Sequence, residues 1–419
     1  MTVPNGNIIF NSSTGSDSLS SGLGPTIPVN GSSAATTASS TVVTGIDTTG
    51  VTAGDLLWVQ SSSGRQFSII ASVDNATQVT CDDTFDNTES GRTWAIGGKR
   101  ATFDNADSRV LFNNDIAGDC VIQTETDQYL TSTITMGNLP AREPIFIRGD
   151  VTIYANGNFA CFQVTGDSSY RTVNFNDLKF VGSAGNTSAA IIGGSIYARN
   201  CQFGDPGSST NFKGGIVSGG YGGNSYAYRC SFYGQGENVS GGIGLTTGGW
   251  PPAVNIINCY IRDYSVAAWG GDNVLNCEKS IISNCANGLG TSRRYVVANK
   301  NIFHNITNNA IYDTSGNESE ERITITNFLN NFNENIFSNV SGYIRSFRLY
   351  STIPQSYLEN VELIPPINYC YNSSGGVENG YSEIVTLTAS PFVDPDNGDF
   401  TLNNFVGGGQ VLRLLERAI

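Results

Sequence analysis

Three cysteines stand at equal intervals in the middle of the chain: Cys201, Cys230 and Cys259, each 29 residues from the last. Their neighbourhoods match. Tyr197-Ala198-Arg199-Asn200-Cys201-Gln202-Phe203 is followed by Tyr226-Ala227-Tyr228-Arg229-Cys230-Ser231-Phe232 and by Asn255-Ile256-Ile257-Asn258-Cys259-Tyr260-Ile261. The frame extends in both directions, so a large apolar residue recurs at Phe180, Phe203, Phe232, Ile261, Ile282, Phe303 and Phe337. A repeat of roughly 20–35 residues means a solenoid. The units are short and are punctuated by Gly and Asn. They carry no leucine framework, which leaves a parallel β-helix with one coil per repeat. In a strand, a cysteine and the apolar residue two positions on share a face. Cys201, Cys230 and Cys259 are therefore expected inside, with Gln202, Ser231 and Tyr260 outside. Uneven steps are absorbed by turns on one flank.

A solenoid also accommodates the length. A chain of 419 residues exceeds one ordinary compact domain, but stacking adds coils without enlarging the core cross-section. The net charge of -14 argues against nucleic acid as a partner. No run approaches the roughly 20 apolar residues of a spanning helix, so membrane insertion is not expected. Nine cysteines are an odd number, and their spacing follows the coil, so they read as free buried thiols. Met1-Thr2-Val3-Pro4-Asn5 has neither the basic segment nor the apolar core of a secretion signal.

The expected organisation has four parts. Residues 1–40, rich in Ser, Thr, Gly and Pro, read as an extended arm. Residues 41–98 read as a small β-barrel or sandwich, with short strands such as Leu56–Gln60 and Thr93–Ile96 between turn signals. Its apolar end is expected to cover the first coil. Residues 99–402 carry the coils. Residues 403–419 hold a C-terminal cap, in which Leu412, Leu415 and Ile419 share one helical face. Gly407-Gly408-Gly409 before it reads as a flexible hinge.

Candidate chemistry is sparse. The single histidine, His304, offers no nucleophilic triad and no His-rich metal motif; it reads as an outward or turn-lining residue. Glycoside hydrolysis needs two carboxyl groups, and Asp205 and Asp263 occupy matching positions two coils apart, about 9.6 Å from the strand spacing. Gly234 on the coil between them would leave room for a sugar. The same aspartates would serve as turn residues. Asp394, Asp396 and Asp399 superficially resemble a calcium loop, but Phe405 stands where an EF-hand has its glutamate. A turn closing the last coil explains them as well, and no cofactor is expected. Tyr197, Tyr226, Tyr228, Tyr233, Trp250, Tyr260, Tyr264 and Trp269 gather in a few coils. Exposed aromatics of this kind suit sugar rings or a subunit interface.

The order of Gly97-Gly98-Lys99-Arg100, then Leu130-Thr131-Ser132-Thr133-Ile134, then Ile145-Phe146-Ile147-Arg148-Gly149, with coils to follow, resembles environmental phage proteins of the right-handed parallel β-helix type. Ser390-Pro391-Phe392-Val393-Asp394-Pro395-Asp396-Asn397-Gly398-Asp399-Phe400-Thr401-Leu402 is similar to their closing segment. The resemblance covers roughly residues 97–402. It implies an all-β solenoid, a homotrimer, other virion proteins as partners, and a place on the virion surface as tail spike, fibre or capsid decoration, with host cell-surface polysaccharide as a further contact. A virion protein folds in the host cytoplasm and is released by lysis, which reconciles free thiols with an exposed, Gly- and Asn-rich β-protein. The rival expectations are a polysaccharide depolymerase, hydrolase or lyase, and a bacterial surface adhesin.

Overall fold

The computed structural model describes residues 7–17, 20–25, 27–115, 120–137, 144–165, 172–218, 224–240, 242–247, 253–271, 274–291, 296–313, 332–333, 335–338, 344–345, 367–373, 377–378 and 383–416. The protein is all-β, with stacked parallel coils forming a β-solenoid and a short helix near the C-terminus. It divides into two compact units, Met1–Gln202 and Phe203–Ile419.

In the first unit, six antiparallel strands between Val29 and Ile96 close into a barrel. Alternation of inward Leu57 and Val59 on the strand Leu56–Ser61, with Trp94 and Ile96 opposite, fills a core of its own. The arm expected over residues 1–40 is corrected by this arrangement. Asn7–Phe10 pairs in parallel with Val121–Thr124 as a solenoid strand, and Val29–Thr36 is a barrel strand. Burial there is one-sided: Ile8 and Phe10 are fully buried while Ile9 between them is half-buried. Gly97, at φ 78°, is where the chain leaves the barrel; a Cβ there would lie 2.3 Å from Pro25.

The coils of this unit run through Ile145–Ala155, Thr172–Val181 and Ser195–Arg199 in parallel register, which places Ile153 beside Phe180 and Phe175 beside Ala198. Residues 131–133 turn between Gln128–Leu130 and Ile134–Met136, so the Leu-Thr-Ser-Thr-Ile stretch is two short strands. Phe10, Phe103, Phe112 and Phe162 make edge and stacked contacts at centroid distances of 4.6–6.2 Å. Phe112 belongs to the short helical segment 106–115, and Leu111 beside it is fully buried.

In the second unit the frame read from the sequence is the frame of the coils. Phe232 pairs with Ile261, Ile261 with Ile282, Ile282 with Phe303, and Phe303 with Phe337. Three parallel sheets build each coil. One runs through Ser225–Tyr228, Ala253–Ile257, Val274–Glu278 and Val296–Asn299. The second runs through Ser231–Tyr233, Tyr260–Arg262 and the first halves of Ile281–Thr291 and Ile302–Asp313. The third runs through Gly214–Ser218, Ile243–Thr247, Val266–Trp269 and the second halves of those two long strands.

The corner between the first and second sheets is a left-handed residue. Asp177, Asn200, Arg229, Asn258, Lys279 and Lys300 all have φ between 51° and 58°. The position after it points inward and holds Leu178, Cys201, Cys230, Cys259, Ser280 and Asn301, all buried, and Asn335 is buried beside Asn301. The thiols are free. Where Ser and Asn replace Cys, a polar relay replaces apolar filling. Cys259 N–H donates to Ser280 Oγ at 3.0 Å, Ser280 N–H to Asn301 Oδ1 at 2.9 Å, and Asn301 N–H to Asn335 Oδ1 at 3.0 Å. Each buried amide thereby satisfies a corner N–H that the coil itself leaves without an acceptor.

The C-terminal helix Gly409–Glu416 packs Leu412 against Tyr369 and Leu387 of the last coil. The hinge expected of Gly407-Gly408-Gly409 is corrected. Cβ atoms at these three positions would sit 2.0 Å from Thr388 Oγ1, 2.4 Å from Ser390 O and 2.4 Å from Asn403 O. Glycine is required there by close packing, not by freedom to swing. The Leu415 and Ile419 side chains lie outside the described residues.

Candidate functional site

The outer face of the second sheet carries a strap. Phe392–Asp394 and Asp399–Leu402 form an antiparallel hairpin around the turn Pro395–Asn397, with Gly398 at φ 87° completing it. Phe400 packs edge-on against Phe392 at 5.3 Å, against His304 at 5.5 Å and against Tyr260 at 6.3 Å between ring centroids. His304 is fully buried. Its Nε2 lies 3.1 Å from Asp396 Oδ1 and its Nδ1 3.3 Å from Ser338 Oγ. The neutral Nε2–H tautomer satisfies both contacts: Nε2–H donates to the carboxylate and the Ser338 hydroxyl donates to Nδ1. Burial lowers the His304 pKa, and Asp396 partly opposes that. The bond from His304 holds the Asp396 carboxyl below its usual range.

Ser338, His304 and Asp396 have the residue types of a nucleophilic triad, which the sequence did not announce. Their burial is inverted for that chemistry. The serine and the imidazole are shut inside, while the Asp396 side chain is 73% exposed. A nucleophile must meet its substrate and its orienting carboxylate must be sheltered. The trio holds the strap down. His304 points out of the coil and is covered there by the strap.

Asp394, Asp396 and Asp399 are not gathered round a common point. Asp394 accepts from Asn397 Nδ2 at 2.8 Å, Asp396 from His304 and Asn305, and Asp399 from the Thr401 N–H at 2.9 Å. Among the described residues no three His, Cys, Asp or Glu side chains converge to hold a metal ion.

Asp205 and Asp263 each end a strand of the second sheet. The Asp205 backbone is braced on both sides by the buried Asn211, whose Oδ1 accepts from the Asp205 N–H at 2.6 Å and whose Nδ2 donates to its carbonyl at 2.8 Å. Asp263 occupies a left-handed corner at φ 63° and accepts from Arg262 Nε at 2.8 Å. The room expected at Gly234 is absent: a Cβ there would lie 2.0 Å from the Asp263 carbonyl oxygen and 2.9 Å from the Tyr264 ring. Glycine marks a close approach of two coils.

The aromatic residues are spread over three sheets. Tyr197 is half-buried in the first unit, in register with Asn174. Tyr226 and Tyr228 stand on the first sheet of the second unit, with the Arg229 guanidinium 5.0 Å from the Tyr228 ring. Tyr233 and Tyr260 meet edge-on at 5.9 Å on the second sheet, and burial raises the Tyr233 pKa. Trp269 is on the third sheet, in register with Gly290. Tyr264 is corrected from surface to core: it is 1% exposed, and burial pushes its hydroxyl pKa well up. Trp250 lies outside the described residues.

A groove of about 740 Å³ opens beside the second sheet. Asp263, Asn284 and Asn305 line it from three successive coils, all in the left-handed conformation at φ 63°, 49° and 51°. Gln235, Glu237, Asn238 and Thr307 add to its polar lining. Asn305 Nδ2 donates to Asn284 Oδ1 and to Asp396 Oδ1, both at 3.2 Å, so the strap braces this corner too. Of the earlier candidates only Asp263 belongs to the groove. The Asn284–Asn305 pair was legible in the repeat, since both stand two residues past the inward apolar residue of the strand, Ile282 and Phe303, as Asp263 does past Ile261.

No family model and no curated protein matches the sequence. Among solved structures, the Pseudomonas phage phi297 tailspike gp61 aligns with 87% of this chain and 69% of that one, at 10% identity and a TM-score of 0.18, a similarity too low to carry an argument about fold or role.

Proposed function

We propose that the chain is a structural protein of a bacteriophage particle, exposed on the virion surface as a homotrimeric spike, fibre or decoration that touches host glycan. The order of motifs across residues 97–402 supports this reading, because it resembles that of phage β-helix proteins. One structural observation favours a non-catalytic role over a depolymerase: the pair offered for hydrolysis is committed to turns. Asp263 is held by Arg262, and the Gly234 corner beside it is filled by the neighbouring coil. Inverting hydrolysis needs a water and a sugar between its carboxyl groups, and the Asp263 carboxylate is already taken up by an ion pair with Arg262. The outside of the rod, with the strap fixed over its flank, presents amides, hydroxyls and tyrosines suited to sugars.

A second reading, a polysaccharide depolymerase, draws on Asp263 and Glu237 both lining the groove. Mass spectrometry of purified virions tests the first reading, with the chain expected at a copy number divisible by three. Light scattering of the purified protein should give three times the 44.5 kDa chain mass. Absence from purified particles, or a monomer in solution, would overturn it.

A further inference from the structure

We propose that the groove beside Asn284 and Asn305 is a binding site for a neutral, hydroxyl-rich glycan. The inference deepens the reading of the chain as a surface-exposed binding protein and rests on it.

The lining fixes the chemistry. Asp263, Asn284, Asn305, Gln235, Glu237 and Thr307 offer carboxylates, amides and a hydroxyl, and none of the described lining residues is a lysine or arginine. Sugar hydroxyls both donate and accept, so they match a mixed set of this kind. An anionic sugar would add a negative charge beside Asp263 and Glu237 with no cation among the described lining residues to receive it. The guanidinium of Arg262, next to Asp263 in sequence, is taken up by Asp263 Oδ2 at 2.8 Å and the Tyr260 hydroxyl at 3.3 Å. The volume falls within the range of about 300–1,000 Å³ common for ligand sites.

The lining is also pre-organised. Asp263, Asn284 and Asn305 repeat on successive coils, which stack about 4.8 Å apart, so polar side chains recur along the rod axis at a fixed step. Each is held at a left-handed corner, and Asn305 is tethered on two sides by Asn284 and Asp396. Polar groups held in place before binding lose little freedom when a ligand arrives. A linear glycan laid along the axis would meet one such group per coil.

The test uses the purified full chain on a glycan array carrying neutral hexose and deoxyhexose oligosaccharides beside uronate- and sialate-bearing ones. Neutral glycans are expected to bind. Asn284→Gly keeps the left-handed corner while removing the amide, so the melting temperature should hold and the affinity for the array hit should fall at least tenfold. Glu237→Gln should admit uronate-bearing glycans that the native chain rejects. Preference of the native chain for acidic glycans, no binding to any neutral glycan, or unchanged affinity in Asn284→Gly would each overturn the proposal. So would release of reducing ends that is lost in Glu237→Gln, which would make the groove hydrolytic. Because the assay uses isolated protein, its failure leaves a virion location standing. Conversely, groove-dependent binding by a chain absent from virions would overturn only the location.

Discussion

His304 Nε2 reaches Asp396 Oδ1 across 92 residues of sequence and 3.1 Å of space. The contact ties a late hairpin to the flank of earlier coils. The groups facing the imidazole are Asp396 on the strap, Ser338 on the next coil, Asn305 beside it and the ring of Phe400. Burial lowers the histidine pKa below its unfolded value of about 6.5. Folding therefore favours the neutral ring, and the unfolded chain binds more protons as pH falls. The strap's contribution should be complete above about pH 6.5 and decline below it. Asp396, with its pKa also lowered, adds a second loss below its ordinary value of 3.8. Urea midpoints measured from pH 7.5 to 5 should fall in the native chain and flatten in His304→Gln. Parallel slopes in the two proteins would remove His304 as the cause.

The thiols should be silent in the folded protein. Eight of the nine cysteines are buried and Cys370 is half-buried. Burial pushes Cys120 and Cys285 up to about 12 and Cys370 up to about 11. Since the thiolate is the reactive species, an aromatic disulfide reagent at pH 8 should titrate at most one thiol natively and nine in denaturant without reductant. A lower total in denaturant would reveal a bridge.

Asn301 should be costly to remove. Its side chain accepts from the Ser280 N–H, donates to the Cys277 carbonyl at 2.9 Å and donates to Asn335 Oδ1 at 3.1 Å. Asn301→Ala strands buried polar groups, each worth about 1–3 kcal/mol when unsatisfied. Chemical denaturation should show a loss of at least that size, and Asn301→Leu should do no better. A change under 0.5 kcal/mol would mean that water takes over the amide's role.

Leu412 anchors the terminal helix. It is 5% exposed against Tyr369 and Leu387. Leu412→Ala should destabilise by about 2–4 kcal/mol, read as a lower urea midpoint. Deleting residues 410–419 should expose the last coil, whose uncovered edge invites end-to-end association. Sedimentation of the truncated chain should show aggregates; an unchanged sedimentation profile and midpoint would show the helix to be dispensable.

The coil register was readable because Phe232, Ile261, Ile282 and Phe303 recur in a frame that only stacking can satisfy. The corner ladder was harder to see. Asn200, Arg229, Asn258, Lys279 and Lys300 share a backbone conformation rather than a side-chain chemistry, and a left-handed φ leaves little mark on residue choice once the next position is fixed inside. Tyr264 was misplaced because it follows a left-handed Asp263, which turns the chain and sends the ring inward. The His304–Asp396 contact had no local signature at all, since it depends on where a hairpin 92 residues away comes to rest. The three glycines before the helix were visible, but only the Thr388, Ser390 and Asn403 atoms against them distinguish crowding from freedom.

The left-handed corner also makes the solenoid of the second unit a ruler graduated in whole coils. Because Arg229 and Asn258 occupy the same point of successive turns, the 29 residues between them form a closed unit of translation. Adding or removing that unit returns every side chain to the face it left, whereas a single-residue change within a strand would turn the inward residues of that strand outward. Reach can therefore be altered in discrete steps of one strand spacing without redesigning either end.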